Sequence, residues 1–327
     1  MVKSQNLKEK GLLDLSISIV NWNTKDILRN CLKSIYKSTH KISYEIFVVD
    51  NASSDGSPKM VEEKFPRVKL VRNKENLGFA KANNQVIRLS NGRYILLLNS
   101  DTIVLNGALD KMVEFMNDHP EAGAAGCKLL DSKKNLQKSI NKFPSLLCQC
   151  WGKSLLPAIF PKIKFSYVID QPDFYSTTQE VDWITGAFLI LSVSAIKQIG
   201  FLDEGFFMYG EDTDLCWRIK KGGWKVYFYP GTKVVHLGGV SIKKRENTSI
   251  GRRLITIAAC QYSRKYYGSI GSVLVCFIVA FSSGCRLVAW SIDFLFLPKR
   301  RDKTRRKIED NWVVFKTGFE QLLGQQK

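Results

Sequence analysis

The longest uninterrupted hydrophobic pattern in the first half of the chain is the run 94–98 (Tyr-Ile-Leu-Leu-Leu), which stops at Asn99-Ser100-Asp101. A short apolar run without alternation predicts a strand that is buried on both faces, as in a parallel sheet covered by helices. A strand that ends in this way delivers Asp101 to the carboxyl edge of the sheet. That edge is where open α/β folds bind their ligands.

Similar patterns on either side predict alternating strands and helices. The stretch 15–20, in which apolar residues alternate with serine, and the mostly apolar stretch 44–49 predict two further strands, and the spacing of apolar residues between them predicts a helix. The second strand again ends in a carboxylate, Asp50, and a turn of small polar residues follows it. Another helix opens near Asn76 and precedes the run at 94–98. This alternation predicts an α/β fold with a mixed, mostly parallel sheet and flanking helices.

The second half of the chain is less regular. The stretch 127–179 has loose patterning, and we expect it to be an irregular excursion on the acceptor side. Regular patterns return at 181–191 and at 225–236. Between them, the largely aromatic stretch 206–209 (Phe-Phe-Met-Tyr) precedes the acidic stretch 211–214, and we expect the aromatic cluster to line a cleft beside the acids.

The composition points to an anionic partner. The chain has 327 residues and a formal net charge of +19, which favours nucleic acid, anionic lipid or phosphorylated substrates. The eight cysteines form no CxxC pair, which suggests reduced thiols in a cytoplasmic setting. The N-terminus lacks the apolar core of a signal peptide, so we expect the main domain to stay in the cytosol.

The C-terminal tail changes character. Residues 268–297 are apolar, but Ser282, Ser283 and Arg286 interrupt them, and a basic cluster follows at 299–307. Neither half supplies the roughly 20 apolar residues of a membrane span. We therefore expect two short apolar helices that lie in or dip into one leaflet, with the basic cluster on anionic headgroups and no role for nucleic acid. A helical hairpin packed on the catalytic domain, or a dimer interface, is the alternative.

Carboxylates at strand ends suggest a phosphate and metal site. A divalent ion such as Mg²⁺ binds one or two carboxylates together with phosphate oxygens, and Asp101 can supply one of them. His236 follows a strand and precedes two glycines, so it can supply another contact. The alternatives are that acids at strand ends only form turns and that the histidine is structural.

Glu211-Asp212-Thr213-Asp214 opens an apolar helical pattern. Acids in the first turn of a helix stabilise its positive end, and this is the simplest interpretation. Next to an aromatic cluster, however, such a carboxylate can also act as a general base.

The chain resembles the family 2 glycosyltransferases of the GT-A fold, and most of all their bacterial rhamnosyltransferase branch. Four motifs carry the resemblance: Val48–Ser57, Asn76–Ala80, Leu98–Asp101 and Gly210–Arg218. With Trp183, Gly186 and His236, they cover residues 15 to about 240.

The resemblance implies a set of site residues. Asp212 and Glu211 would be catalytic, with Asp212 as the base, and Asp101 and His236 would bind a divalent metal, Mg²⁺ or Mn²⁺. Asp50 would bind the nucleotide base or ribose. The full set of implied donor-binding residues is Asn21, Asp50, Asn51, Asp55, Asn76, Gly78, Phe79, Asn99, Ser100, Trp183 and Gly186.

The resemblance further implies an inverting hexosyltransferase at the cytoplasmic face of the bacterial inner membrane, peripheral or monotopic. Residues 1–250 would form the GT-A domain and residues 251–327 a helical, membrane-associating basic tail. The donor favoured is dTDP-L-rhamnose, and the acceptor would be a cell-surface polysaccharide, such as O-antigen, or a lipid-linked oligosaccharide.

Several alternatives stay open. The DxD motif of the family reads Asn99-Ser100-Asp101 here, so its first carboxylate is an amide and the strictness of the metal requirement is open. A UDP- or GDP-sugar donor, a non-catalytic sugar-nucleotide-binding protein and a nucleotidyltransferase remain as rivals. The oligomeric state has no signal in the sequence.

Overall fold

The computed structural model describes residues 13–163, 165–169, 171–238, 249–296 and 301–324. They divide into two compact units. The α/β unit contains the described residues up to Phe143, together with Val168–Phe207 and Glu211–Gly238. The helical unit contains Pro144–Tyr167, Met208–Gly210 and the described residues from Ser249 onward. The N-terminal segment before Leu13, and Lys299 and Arg300 of the predicted basic cluster, lie outside the described residues.

The α/β unit is built on one large mixed sheet and a two-stranded sheet. The large sheet has the order β3-β2-β1-β4-β11-β6-β12-β5, with β7 paired to β6 and β9 paired to β12, and the small sheet pairs β8 with β10. The strands are β1 (Leu13–Asn21), β2 (Tyr44–Asn51), β3 (Lys69–Asn73), β4 (Gly92–Asn99), β5 (Thr102–Val104), β6 (Ala122–Leu130), β7 (Leu136–Gln137), β8 (Ile140–Asn141), β9 (Gln179–Glu180), β10 (Trp183–Ile184), β11 (Phe188–Ser192) and β12 (Lys225–His236).

Helices cover this sheet because their apolar residues repeat at helical spacing and are buried against it. The helices of the chain are α1 (Lys25–Ser38), α2 (Ser57–Lys64), α3 (Phe79–Leu89), α4 (Ala108–Asp118), α5 (Leu146–Lys153), α6 (Leu156–Ile159), α7 (Val193–Ile199), α8 (Glu211–Lys221), α9 (Ser249–Phe296) and α10 (Arg301–Leu322), and Pro172–Tyr175 forms a 3₁₀ turn.

The predicted parallel order is correct for the first half of the sheet. Strands β1, β2, β3 and β4 pair in parallel, so their carboxyl ends meet at one edge. Strand β11 then pairs antiparallel with β4, with Phe188 opposite Leu98. An antiparallel strand starts where its partner ends, so the residues just before Phe188 lie at that same edge.

The second half of this unit is more regular than its sequence suggests. Strand β6 extends the sheet up to Leu130, inside the stretch expected to be irregular. The regular pattern at 225–236 forms one continuous strand, β12, which pairs with β6 and with β5. The aromatic residues before α8 do not all line a cleft, because Phe206 is buried in the core.

In the helical unit, α9 reverses direction at Gly268. This glycine has φ +69° and ψ −173°, a conformation that interrupts the helix. The Ser272 hydroxyl donates a hydrogen bond to the Cys260 carbonyl at 3.3 Å. Residues twelve apart in a straight helix would be about 18 Å apart. The segments 249–267 and 269–296 therefore pack against each other.

The expectation of two apolar halves separated at Arg286 is wrong. The helix continues through Arg286 to Phe296, and the Arg286 guanidinium donates to the Ser154 carbonyl at 2.9 Å. Ser282 likewise donates to the Lys153 carbonyl at 2.6 Å. Both carbonyls belong to the C-terminal end of α5, where helix carbonyls lack partners of their own. Thus the polar residues that interrupt the apolar pattern cap another helix and do not break this one.

By length and composition, α9 meets the criteria for a helix that could cross a membrane. Its most apolar window of 18 residues has a mean hydropathy of 2.0, and 39% of that window is buried within the protein. Residues 269–296 alone would extend about 40 Å at 1.5 Å per residue.

Candidate active site

The first group of predicted site residues lies where β1 and β2 end side by side. Asn21 is opposite Asp50 in the strand register and is completely buried. Its Nδ2 donates to Asp50 Oδ1 at 2.9 Å, and the backbone amide of Ser53 donates to Asp50 Oδ2 at 2.9 Å. Both carboxylate oxygens of Asp50 are therefore held in a fixed orientation at the sheet edge.

Thr24 extends this group to the tip of β4. Thr24 is the N-cap residue of α1, but its side chain makes no capping hydrogen bond. Its Oγ1 instead donates to Asn21 Oδ1 at 2.6 Å and lies 3.1 Å from Ser100 Oγ. A continuous set of hydrogen bonds thus runs from Asp50 to Ser100 and joins three strand ends.

Asp55 has a local structural role. Its Oδ2 accepts from the Lys25 backbone amide at 2.8 Å, and its Oδ1 accepts from the backbone amide and the hydroxyl of Ser57. Burial raises the pKa of Asp55, but these hydrogen bonds outweigh it and hold the pKa below its usual value. The carboxylate therefore ties the start of α1 to the start of α2.

An amide network surrounds the end of β2. Asn51 Nδ2 donates to Asn76 Oδ1 at 3.2 Å and to the Gly78 carbonyl at 3.1 Å, while its Oδ1 accepts from Asn73 Nδ2 at 2.8 Å. Gln85 exchanges two hydrogen bonds with Asn73. This network fixes the loop that precedes α3.

Gly78 cannot carry a side chain. Its φ is +81°, and a Cβ atom would lie 2.3 Å from the Phe207 carbonyl oxygen. That carbonyl accepts a hydrogen bond from the Phe79 amide at 2.7 Å. The glycine therefore lets the start of α3 dock against the segment that leads to the acidic residues.

The tip of β4 and the end of β12 form a second group. His236 Nε2 lies 3.2 Å from Asp101 Oδ1 and 3.3 Å from Asn99 Nδ2. On the other side of the ring, His236 Nδ1 is 2.8 Å from Gln137 Oε1. Since that oxygen only accepts, Nδ1 carries the proton and Nε2 is directed at the carboxylate. Asp101 and His236 are both buried.

Asp212 lies at the start of α8 and is partly exposed. Its Oδ2 accepts from the Gly186 backbone amide at 3.0 Å, and its Oδ1 accepts from the Thr213 amide at 2.8 Å. Burial raises the pKa of Asp212 despite these hydrogen bonds. A carboxylate with a raised pKa that remains partly exposed has the properties of a general base.

Glu211 is a buried acid that lacks a hydrogen-bond partner for one of its carboxyl oxygens in the part of the chain that the structure describes. It is 6% exposed, and its Oε2 has no hydrogen-bond partner among the described residues. Burial, followed by the nearby charges of Asp212 and Asp214, raises the pKa of Glu211 well above its usual value. Both pKa values of the pair are raised, and the pKa of the more deeply buried Glu211 is raised further, so Glu211 favours its protonated form more than Asp212 does.

A short backbone segment connects the acids to the tip of β4. Gly186 contacts Asp212, and the carbonyl of the next residue, Ala187, accepts from the Asn99 amide at 3.0 Å. A Cβ atom on Gly186 would lie at ordinary contact distance from both the Phe79 ring and Asp212. The predicted catalytic and metal-binding residues thus share one scaffold.

Trp183 has a different environment. Its side chain is buried in a hydrophobic cluster that also contains Ile184 and Leu215. Its indole Nε1 donates to the Lys142 carbonyl at 2.9 Å. It therefore anchors the strand that leads to Gly186.

The side chains of this network that were absent from the predicted set include Thr24, Asn73, Gln85 and Gln137. Thr24 belongs to the polar stretch that ends the first strand and carried a usable signal. Gln137 belongs to a two-residue strand without any periodicity, so sequence patterns gave no sign of it.

Comparison with known proteins gives a consistent family. The sequence profile described as "Glycosyl transferase family 2" matches residues 16–197, and the profile described as "Glycosyl transferase family group 2" matches residues 165–298. A similar protein is the N-acetylglucosaminyl-diphospho-decaprenol L-rhamnosyltransferase of Mycobacterium tuberculosis, 27% identical over 68% of this chain and 75% of that protein. Another is the rhamnosyltransferase WbbL of Escherichia coli, 29% identical over 49% of this chain and 60% of that protein.

A solved structure shares the fold. It is the mannosyltransferase PcManGT from Pyrobaculum calidifontis in complex with GDP-Man and Mn²⁺, with a TM-score of 0.55 and 14% sequence identity. The match covers 97% of this chain and 89% of that one. It confirms the expected GT-A fold.

The buried acid pair leads to a prediction about stability. A raised pKa in the folded state means that the folded protein binds more protons than the unfolded chain. Stability is therefore lost as pH rises from the unfolded pKa of Glu211 towards its folded pKa, by about 1.4 kcal/mol per pH unit. We expect Glu211→Gln to match the wild type in melting temperature near pH 4 and to exceed it increasingly at higher pH.

Glu204→Gln is the matched control. Burial raises the pKa of Glu204, but hydrogen bonds from Asn84 and Arg88 outweigh it and lower the pKa overall. This variant should lose stability at neutral pH and approach the wild type as pH falls. Melting curves from pH 4 to pH 8 provide the measurement. A pH-independent difference for Glu211→Gln would contradict the assigned protonation.

Proposed function

Because the chain belongs to glycosyl transferase family 2 and is a glycosyltransferase, we propose that it transfers a sugar, with inversion, from a nucleotide-diphosphate donor to a lipid-linked saccharide. The observation that carries this proposal is the position of Asp212. Two backbone amides orient its carboxylate, its pKa is raised, and it remains partly exposed.

In the proposed reaction, Asp212 accepts the proton of an acceptor hydroxyl. The hydroxyl oxygen attacks the anomeric carbon as the bond from that carbon to the diphosphate oxygen breaks. The nucleotide diphosphate leaves with the bonding electrons, and attack from the opposite side inverts the anomeric centre. Glu211 keeps its proton throughout, so the pair does not place two negative charges side by side.

The donor would lie along the carboxyl edge of the sheet. Asp50 and Asn21 would contact the base or ribose, and the Asn51–Asn76–Gly78 loop would close the same side. Asn99 and Ser100 would face the diphosphate. These roles are supported by the hydrogen bonds that join the tips of β1, β2 and β4.

The residues at the tip of β4 fit a divalent metal. His236 Nε2 and Asp101 Oδ1 lie 3.2 Å apart at the tip of β4, and Gln137 holds the other ring nitrogen of the histidine. Adjacent ligands of an octahedral ion at 2.0–2.1 Å are about 3 Å apart. Among the described residues, no group of three or more acidic, histidine or cysteine side chains is placed so that it could hold a metal ion. Asp101 and His236 would thus hold the ion together with donor phosphates, and the ion would neutralise charge on the leaving group.

Gln137 would position His236 in that site. Metal-binding histidines usually donate their second ring proton to a fixed acceptor, and Gln137 Oε1 occupies that position.

The relatives support the choice of donor and acceptor. The Mycobacterium protein is named as an L-rhamnosyltransferase that acts on N-acetylglucosaminyl-diphospho-decaprenol, and the Escherichia protein as a rhamnosyltransferase. We therefore favour dTDP-L-rhamnose as the donor and a polyprenyl-linked saccharide of cell-envelope synthesis as the acceptor. UDP- and GDP-sugars are the competing donors. Residues 1–250 would carry the transfer reaction, at the cytoplasmic face of the inner membrane.

The first test concerns Asp212. We expect Asp212→Asn to reduce transfer by about 10²–10⁴, because a general base is lost, while donor affinity stays within a factor of about two. Transfer is measured as acceptor-dependent release of nucleotide diphosphate, and donor affinity by calorimetry. Asp26→Asn, an exposed acid on α1, is the control. Near wild-type transfer by Asp212→Asn would reject Asp212 as the base.

The second test concerns the metal. Asp101→Ala and His236→Ala should each weaken Mn²⁺ binding in the presence of dTDP by at least tenfold, and Gln137→Ala by about 10–100-fold if it positions the histidine. Calorimetry provides a readout that is independent of turnover. Full wild-type activity in EDTA would rule out the metal.

The third test concerns the nucleotide of the sugar donor. Calorimetric titration with dTDP, UDP and GDP should give the tightest binding for dTDP, by at least tenfold, or about 1.4 kcal/mol. Tighter binding of GDP or UDP would reject the rhamnose donor while leaving the transferase assignment intact.

A further inference from the structure

The segment 269–296 of α9 exposes many large apolar side chains. Its buried positions are small, hydroxyl-bearing or short apolar residues, among them Ser272, Val275, Cys276, Val279 and Ser283. Its exposed positions include the larger Ile270, Phe277 and Phe281. A helix in a water-soluble bundle shows the opposite arrangement.

The exposed residues form one continuous stripe. At 100° per residue, the positions fall within about 60° of arc and extend along nearly the whole segment. Their exposed fractions range from 52% to 86%. We call this surface the apolar stripe, and its members are Ile270, Phe277, Phe281, Val288, Ile292 and Leu295.

The neighbours of this segment carry charge. On the preceding segment, Arg252 pairs with Asp310 of α10 at 3.0 Å, and Arg253 pairs with Glu320 at 3.5 Å. Gly318 of α10 packs directly on the backbone near Ala280. Crossing a bilayer would take these charged helices into the hydrocarbon, at about 2.5–3.5 kcal/mol for each uncompensated charge at its centre. The apolar stripe, in contrast, can enter the hydrocarbon while these charged side chains stay outside it.

Cations lie at one end of the stripe. Arg301 stacks over the Phe294 ring at 5.7 Å, and Lys307 lies 5.2 Å from the Trp290 ring. Arg305 and Arg306 on the same turn of α10 are exposed. Aromatic rings and cations at the border of an apolar surface suit the headgroup region of an anionic membrane.

The segment Pro144–Tyr167 adds a second apolar surface to the same unit. It exposes Leu147, Ile159, Phe160, Ile163 and Phe165. Hydrogen bonds from α9 hold it: Tyr267 donates to the Pro144 carbonyl at 2.7 Å, and Ser282 and Arg286 donate to the end of α5.

We propose that the apolar stripe lies in the plane of an anionic phospholipid bilayer, immersed about 5–10 Å in one leaflet, with the cations of α10 among the headgroups and no crossing of the membrane. This inference rests on the membrane association proposed above and adds the face and its orientation.

Flotation with vesicles tests the face. The full-length chain should float with vesicles of phosphatidylcholine and phosphatidylglycerol (7:3), and much less with phosphatidylcholine alone. Phe277→Glu/Phe281→Glu should reduce the bound fraction at least tenfold. Leu89→Glu, an exposed leucine at the end of α3, is the matched control and should bind like the wild type. Phe277→Ser/Phe281→Ser provides a milder pair, and unchanged nucleotide binding and circular dichroism show that each variant is folded.

A dithionite-reducible fluorophore tests the orientation. It is placed at Ser269 or at Phe296 as an unnatural amino acid, and the protein is added outside sealed vesicles. Both labels should be reduced from outside. Protection of either label would mean that the helix crosses the membrane and would overturn the in-plane proposal.

The remaining outcomes are also decisive. Unchanged flotation of both double variants would exclude the stripe as the binding face. A wild type that does not float would reject the membrane association itself, while nucleotide release could still confirm the transferase. A dimer in light scattering that the stripe variants dissociate, without vesicle binding, would assign the stripe to a second copy of the chain.

Discussion

The antiparallel pairing of β11 with β4 is the constraint on which the candidate site depends. In a purely parallel sheet, the strand beside β4 would begin at the opposite edge. Because β11 runs the other way, its first residues lie at the tip of β4. The turn at Gly186 and Ala187 therefore contacts Asn99 on one side and Asp212 on the other. One reversed strand places a candidate base on the same scaffold as the proposed metal ligands.

The sequence identified those parts of the site that lie at the ends of strongly patterned strands. Asp50 and Asp101 follow short apolar runs bounded by turn residues, which favour buried strands, and their place at one sheet edge follows from parallel order. Asn21, at the end of the first predicted strand, could be placed at the same edge for the same reason. The direction of β11 could not be predicted, because a short apolar run looks the same in either direction. Gln137 could not be predicted for a different reason. It lies in the two-residue strand β7, which is held by its pairing with β6 and has no local sequence pattern.

The tail shows how a polar residue can mislead a sequence interpretation. Arg286 interrupts an apolar pattern, and the simplest inference was that the helix ends there. The structure instead gives the guanidinium a partner in the last turn of α5, 132 residues earlier in the sequence. The true break, Gly268, lies at the edge of the apolar stretch, where one glycine among small residues carries little signal. Hydropathy records composition, whereas the direction of a helix depends on backbone conformation and on distant hydrogen-bond partners.

Departures from local rules are concentrated around the candidate site. Among the described residues, four non-glycine residues have positive φ, and three of them, Asn23, Ala52 and Tyr209, lie in the turns after β1 and β2 and just before α8. Each such conformation is unfavourable for an ordinary side chain and persists only where its surroundings fix it. Glu211 adds a buried carboxyl with an unpartnered oxygen. A fold selected only for stability would remove these features, since an isosteric apolar residue at 211 would need no partner. Their concentration around Asp50 and Asp212 supports the proposal that this part of the fold holds a donor-binding carboxylate and a general base in fixed positions.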